Sequence, residues 1–167
     1  MEAENNLKAR DVGIISDTHG LLRPEAVDAL RSSELIIHAG DVGSEEVLER
    51  LREIAPVVAV RGNVDTAVWA DKLPMTTAAE TAERRIWVLH DLSCLDIHAV
   101  GDDFGMVVYG HSHQPCQGTR AGVIYLNPGS AGPRRFRLPV SVVRADFGVN
   151  PPEIRFMDLL TGRSFIP

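Results

Sequence analysis

Five apolar runs of three or four residues, each broken at once by a polar turn, restrict most strongly how this 167-residue chain folds. They occupy residues 12–15, 35–37, 57–60, 86–89 and 106–109. Runs this short and this continuously apolar suit strands covered on both faces. Two segments of helical spacing separate the first three. Pro24 opens one, with Ala26, Val27, Ala29 and Leu30 forming its apolar side. Ser44 is placed to cap the other, ahead of Glu45 and Glu46, and Val47, Leu48, Leu51 and Ile54 follow before Pro56 closes it. Two successive strand–helix–strand units predict parallel strands joined by right-handed crossovers.

Beyond residue 63 the pattern changes. Residues 64–83 read as a loop with an edge strand, and residues 91–104 as room for one short helix. Residues 123–126, 140–143 and 154–157 read as further strands, separated by turns such as Asn127-Pro128-Gly129 and Asn150-Pro151-Pro152. The last third is thus expected to be β-rich and antiparallel. No repeat, low-complexity tract or linker interrupts residues 11–167, which are expected to form a single α/β domain behind a polar, flexible segment, residues 1–10. A net charge of −6 excludes a generally basic nucleic-acid binder, and strong nucleic-acid binding is not expected. No apolar run approaches the roughly 20 residues that cross a bilayer, and the N-terminus lacks the apolar stretch of a secretory leader. Cys94 and Cys116 make no disulfide framework; they are expected to be small packing residues of a cytoplasmic protein.

The turns after the five runs carry the unusual residues. Ser16-Asp17-Thr18-His19-Gly20 follows the first, His38-Ala39-Gly40-Asp41 the second, and Arg61-Gly62-Asn63 the third. His90-Asp91 follows the fourth and Gly110-His111-Ser112-His113 the fifth. Loops at the carboxyl ends of parallel strands gather on one edge of the sheet, where ligands bind. Asp17, His19, Asp41, Asn63, His90, His111 and His113 would therefore meet on one rim, and they take four of the six histidines of the chain. Imidazole nitrogens with hard oxygens and no thiolate suit Mn2+, Fe2+, Zn2+ or Ni2+. Seven such groups exceed what one tetrahedral ion needs, whereas two ions sharing a carboxylate would use them all.

Asp17-x-His19, Gly40-Asp41, Gly62-Asn63, His90 and Gly110-His111-x-His113 resemble, in order, the five motifs of the calcineurin-like metallophosphoesterase superfamily. The short chain, Gly62-Asn63-Val64-Asp65 and Asn127-Pro128-Gly129-Ser130 are most similar to its small single-domain phosphodiesterases, the clade that also holds the retromer subunit of this fold. The resemblance spans residues 11–145. It implies a four-layer α-β-β-α sandwich with two mixed sheets and a dinuclear metal site at the carboxyl ends of the strands. Asp17, His19 and His113 would bind one divalent ion, Asn63, His90 and His111 a second, and Asp41 would bridge them. With two ions, Mn2+ foremost, the implied activity is hydrolysis of small or exposed phosphodiesters by a metal-bound hydroxide. The implied alternatives are a phosphomonoesterase, a dinucleotide polyphosphate hydrolase, and a protein-binding scaffold with a vestigial metal site. A homo-oligomer is compatible with any of these.

Two positions depart from the family pattern. Val64 stands where larger members carry a histidine that protonates the leaving group, and Asp91 follows His90 where glycine is usual. Asp91 has two readings: a hydrogen bond that holds the His90 ring, or a carboxylate turned to solvent that crowds the approach. His38 is expected to be a buried orienting residue, and His98 and the Asp102-Asp103 pair to be surface features. Arg134, Arg135 and Arg137 read first as surface or contact residues, with phosphate binding as the second reading. Trp69 could wall the site or simply pack.

Overall fold

The computed structural model describes residues 8–100 and 103–167. The first three runs form β1 (Asp11–Ile15), β2 (Leu35–His38) and β3 (Val57–Ala59), joined by α1 (Pro24–Leu30) and α2 (Glu45–Arg52). They pair in parallel, as two consecutive crossover units require. Ser44 precedes α2 in extended backbone without a side-chain capping bond, so Glu45 and Glu46 in the first turn provide the favourable charge there. A single-turn 3-10 segment, Val68–Lys72, leads into the edge strand β4 (Thr76–Glu80). The fourth and fifth runs form β5 (Arg85–Leu89) and β6 (Phe104–Val108), with a 3-10 turn at Leu92–Cys94 and the short α3 (Ile97–Val100) between them. The remainder supplies β7 (Cys116–Arg120), β8 (Val123–Asn127), β9 (Ser141–Asp146), β10 (Glu153–Asp158) and β11 (Arg163–Phe165).

These strands make two mixed sheets, ordered β11-β10-β9-β1-β2-β3 and β4-β5-β6-β8-β7. The antiparallel expectation for the last third holds for β9, β10 and β11 and for β7 against β8, but β8 lies parallel to β6. Strand alternation distributes the core into layers. Val12 and Ile14 of β1, Ile37 of β2, Ile86 and Val88 of β5, and Met106 and Val108 of β6 meet between the sheets. Ile15 and Ile36 turn the other way, against Leu30 of α1 and Leu48 and Leu51 of α2. Leu89 and Val107 face out of the second sheet, where Val100 and Phe104 join them under the 92–100 segment. The fourth layer of the sandwich is therefore reduced to that segment.

Ala9 and Arg10, assigned from sequence to the flexible N-terminal segment, are paired. Ala9 bridges Thr81, and the Arg10 carbonyl accepts from the Phe147 amide at 2.7 Å. Residues 1–7 and Asp102 lie outside the described residues. Neither β7 nor β11 shows in the sequence as an apolar run. Every residue of β7 is exposed, so no burial pattern marks it. Cys94 and Cys116 are free and exposed, which corrects the expectation that they pack. Trp69 packs against the core beneath α1 and α2 and does not wall the site.

Candidate metal centre

The turns after β1, β2 and β3 leave the first sheet, and those after β5 and β6 leave the second. All five converge where the two sheets meet. The turn after β1 runs beside the turn after β2 as an extension of their ladder. Asp17, His19 and Gly20 donate their amides to the carbonyls of Gly40, Asp41 and Val42 at 3.0, 3.0 and 2.8 Å. Five of the seven candidate ligands, Asp17, His19, Asp41, His111 and His113, have positive φ between 48° and 69°. Strained backbone of this kind persists only where the surroundings enforce it, and it clusters at functional sites.

Asp17, Asp41 and His90 are each fixed through one polar atom, which leaves another aimed into the site. Oδ2 of Asp17 accepts from Ser16 Oγ at 2.6 Å and from the His111 amide at 3.2 Å. Oδ1 is buried, has no hydrogen-bond partner among the described residues, and lies 3.2 Å from His113 Nε2 and 3.9 Å from His19 Nε2. His19 Nε2 and His113 Nε2 are 3.2 Å apart. Oδ1 of Asp41 accepts from the Val64 amide at 3.0 Å, while Oδ2 points at His90 Nε2, 3.2 Å away, and at His19 Nε2, 3.8 Å away. His90 donates Nδ1–H to the Ala39 carbonyl at 2.7 Å, which fixes the tautomer and turns Nε2 toward Asp41 and Asn63 Oδ1. Asn63 Oδ1 is also 3.1 Å from His111 Nδ1.

Lone-pair atoms that face one another at these separations require a cation or a proton between them. Ligands bonded at about 2.1 Å to one ion sit roughly 3.0–3.4 Å from each other. The His113–Asp17, His19–His113 and His90–Asp41 pairs have that spacing, and His19 stands farther from the two carboxylates. Among the described residues, two groups bring such atoms close enough to share an ion: Asp17 with His19 and His113, and Asp17 with Asp41 and His90. Asn63 and His111 extend the second. The seven residues expected from sequence are thus all brought together, and the bare Asp17 Oδ1 marks where positive charge is missing. His113 Nδ1 is buried and unpartnered as well.

Charge within the site is distributed accordingly. Burial opposes a charge on His90, but its hydrogen bonds to Asp41 and to the Ala39 carbonyl outweigh that and raise its pKa. Burial works against the Asp41 carboxylate too, yet His90 and the Val64 amide hold its pKa low. Burial lowers the pKa of His19, and the positive charges of His113 and Arg135 add to this against the pull of Asp41 and Asp17. Asp17, Asp41, His90 and His113 are buried, whereas His111 and Asn63 are exposed, so the site opens on their side.

Several supporting residues were not singled out from sequence. Asp65, only 2% exposed, accepts from the amides of Val42, Gly43 and Gly62 at 3.1, 2.8 and 2.9 Å, tying the turn after β3 to the turn after β2. Asn127 donates to the Gly110 carbonyl at 2.8 Å, and Ser130 Oγ donates to the Asp17 carbonyl at 2.9 Å. Their signal was the Asn127-Pro128-Gly129-Ser130 turn, whose partners only the fold supplies. His38 is fully buried, accepts from the Gly40 amide at 3.2 Å, and donates to Thr18 Oγ1 at 3.0 Å, which passes a bond on to the Val42 carbonyl. It is an orienting residue, as expected. Asp91 does not hold the His90 ring. It accepts from the Ser93 amide at 2.9 Å and lies 3.9 Å from His111 Nε2, near the opening.

A cluster of histidines, carboxylates and an amide at the carboxyl ends of strands in a two-sheet sandwich is the arrangement of a metallophosphoesterase fold. The model of the calcineurin-like phosphoesterase superfamily domain matches residues 11–149, and the chain belongs to that superfamily. It is 36% identical over 148 residues to a probable metallophosphoesterase of Methanothermobacter thermautotrophicus, covering 81% of this chain and 86% of that one. Among solved structures it is similar in fold to a zinc complex of Vps29 from Entamoeba histolytica. The TM-score is 0.72 at 23% identity, over 93% of this chain and 96% of that one. It is also similar to an archaeal phosphodiesterase, with TM-score 0.73 and 22% identity over 88% and 98% of the two chains.

Proposed function

We propose that the protein is a divalent-metal-dependent phosphodiesterase acting on small or exposed phosphodiesters. The observation that carries this is the bare, buried Asp17 Oδ1 facing the Nε2 atoms of His113 and His19. In this reading Asp17, His19 and His113 hold one ion, Asn63, His90 and His111 hold a second, and Asp41 reaches both groups through Oδ2. Ions held there supply an acidified water as nucleophile and neutralise charge gathering on the phosphoryl oxygens. The ligand chemistry favours Mn2+, with Fe2+, Zn2+ and Ni2+ also competent.

The chain's own contribution is positional. His90 and Asp17 are each anchored through one polar atom so that the other stays aimed inward. Val64 contributes its amide to Asp41 and leaves no imidazole at that corner to protonate a departing alkoxide. That favours diesters with good leaving groups over alkyl monoesters. The family relationship and the archaeal phosphodiesterase neighbour support this reading. No helix among the described residues is long and apolar enough to cross a membrane.

Metal-stripped protein supplied with Mn2+ should hydrolyse bis(p-nitrophenyl) phosphate, and Asp41→Asn should lose at least about a hundredfold of that rate. The Vps29 likeness supports one alternative, a protein-binding scaffold that keeps a metal site. Metal binding without hydrolysis of diesters or monoesters, across all four ions, would establish the scaffold and refute the enzyme.

A further inference from the structure

Beside the Asn63–His90 end of the site lies a cavity of about 280 Å3, walled by Met75, Thr76, Leu89 and Cys94 and bounded by Asn63 and His90 themselves. Most of its exposed lining is apolar, although it adjoins a cluster of charged ligands. Leu89 is 1% exposed and forms a fixed floor, while Met75, 64% exposed, stands at the mouth. Arg61 also borders the cavity, with Nε donating to the Asp65 carbonyl at 2.9 Å and Nη1 to Asp71 at 3.0 Å. Asp91 adds a carboxylate at the same border.

Resting on the phosphodiesterase reading, we infer that this cavity is the subsite for one ester arm of the substrate and that the arm is a single uncharged, aromatic or apolar ring. Size and charge both select it. The volume falls just under the roughly 300–1,000 Å3 typical of small-molecule pockets, enough for one ring but not for a dinucleotide arm. A second phosphate would meet the Asp91 carboxylate and would bury no apolar surface against Met75, Leu89 and Cys94. A ring buries apolar surface against Met75, Leu89 and Cys94, while its ester oxygen remains beside Asn63 and His90.

Cys94 is exposed in this wall and provides a reporter, with Cys116 on β7 as an internal reference. In Mn2+-loaded protein, phenyl phosphate should bind about tenfold or more tightly than methyl phosphate or inorganic phosphate by calorimetry, as burial of one ring implies. At saturation it should slow iodoacetamide alkylation of Cys94, read by peptide mass spectrometry, and leave Cys116 unchanged. Met75→Trp, which fills the mouth, should bring phenyl phosphate down to the affinity of methyl phosphate. Equal affinities for the three ligands with Cys94 unprotected overturn the subsite and leave the phosphoesterase reading intact. Protection of Cys94 by inorganic phosphate alone also overturns it. Failure of all three ligands to bind the metal-loaded protein overturns the phosphoesterase reading, and the subsite with it.

Discussion

Asp17 shows how a single residue is divided between structure and chemistry. One carboxyl oxygen is saturated by Ser16 and the His111 amide, while the other is buried and bare. Asp65 is the opposite case, with its carboxylate wholly spent on three backbone amides. Asp65→Ala strands those amides and should cost on the order of 3 kcal/mol of stability, measured by urea unfolding of chelated protein. His38 sets a pH dependence. Burial, the largest influence, lowers its pKa to about 4 from 6.5. Between those values the unfolded chain binds a proton that the folded chain refuses, so stability is full above pH 6.5 and falls as pH drops toward 4. The wild type should lose about 2 kcal/mol more than His38→Gln between roughly pH 7 and 5, by urea unfolding in chelator.

At the scale of elements, the site is an extension of strand pairing. The turns after β1 and β2 continue their ladder, and the turn after β3 presses in behind Asp65. Gly62 is required by that approach, since a Cβ there would overlap the Asp41 amide and carboxyl. Gly62→Ala should therefore push the turn after β3 away and weaken Mn2+ binding by about 10–100-fold, read by calorimetry. How legible an element was in sequence follows its burial. β1, β2 and β6 are buried on both faces, and β5 is buried through Ile86, Val88 and Leu89, so all four announce themselves as apolar runs. β7, Cys116–Arg120, is an exposed edge that needs only backbone bonds to β8, so its composition carries no signal. The 64–83 segment was readable as a loop with an edge strand because Pro74 and the Thr/Ala stretch suit one, and β4 is that edge.

For the molecule as a whole, the candidate ligands come from both sheets: Asp17, His19, Asp41 and Asn63 from turns of the first, His90, His111 and His113 from turns of the second. A bound ion would therefore join the two halves of the sandwich. Mn2+ at about a hundred times its Kd should raise folding stability by roughly 2.7 kcal/mol, with chelator reversing the gain in thermal unfolding. Asp41→Asn should lose most of that gain. The sequence alone determined which residues could form the site, because strand ends, turns and ligand chemistry are local properties written in composition and spacing. It also supplied the alternation that sorts Val12 and Ile14 from Ile15 into different layers. Only the tertiary structure decided that Ala39, and not Asp91, holds the His90 ring, and that Asp65, Asn127 and Ser130 brace the turns. It alone placed an apolar cavity beside charged ligands. Those contacts join residues distant in the chain, and their existence depends on how the two sheets pack.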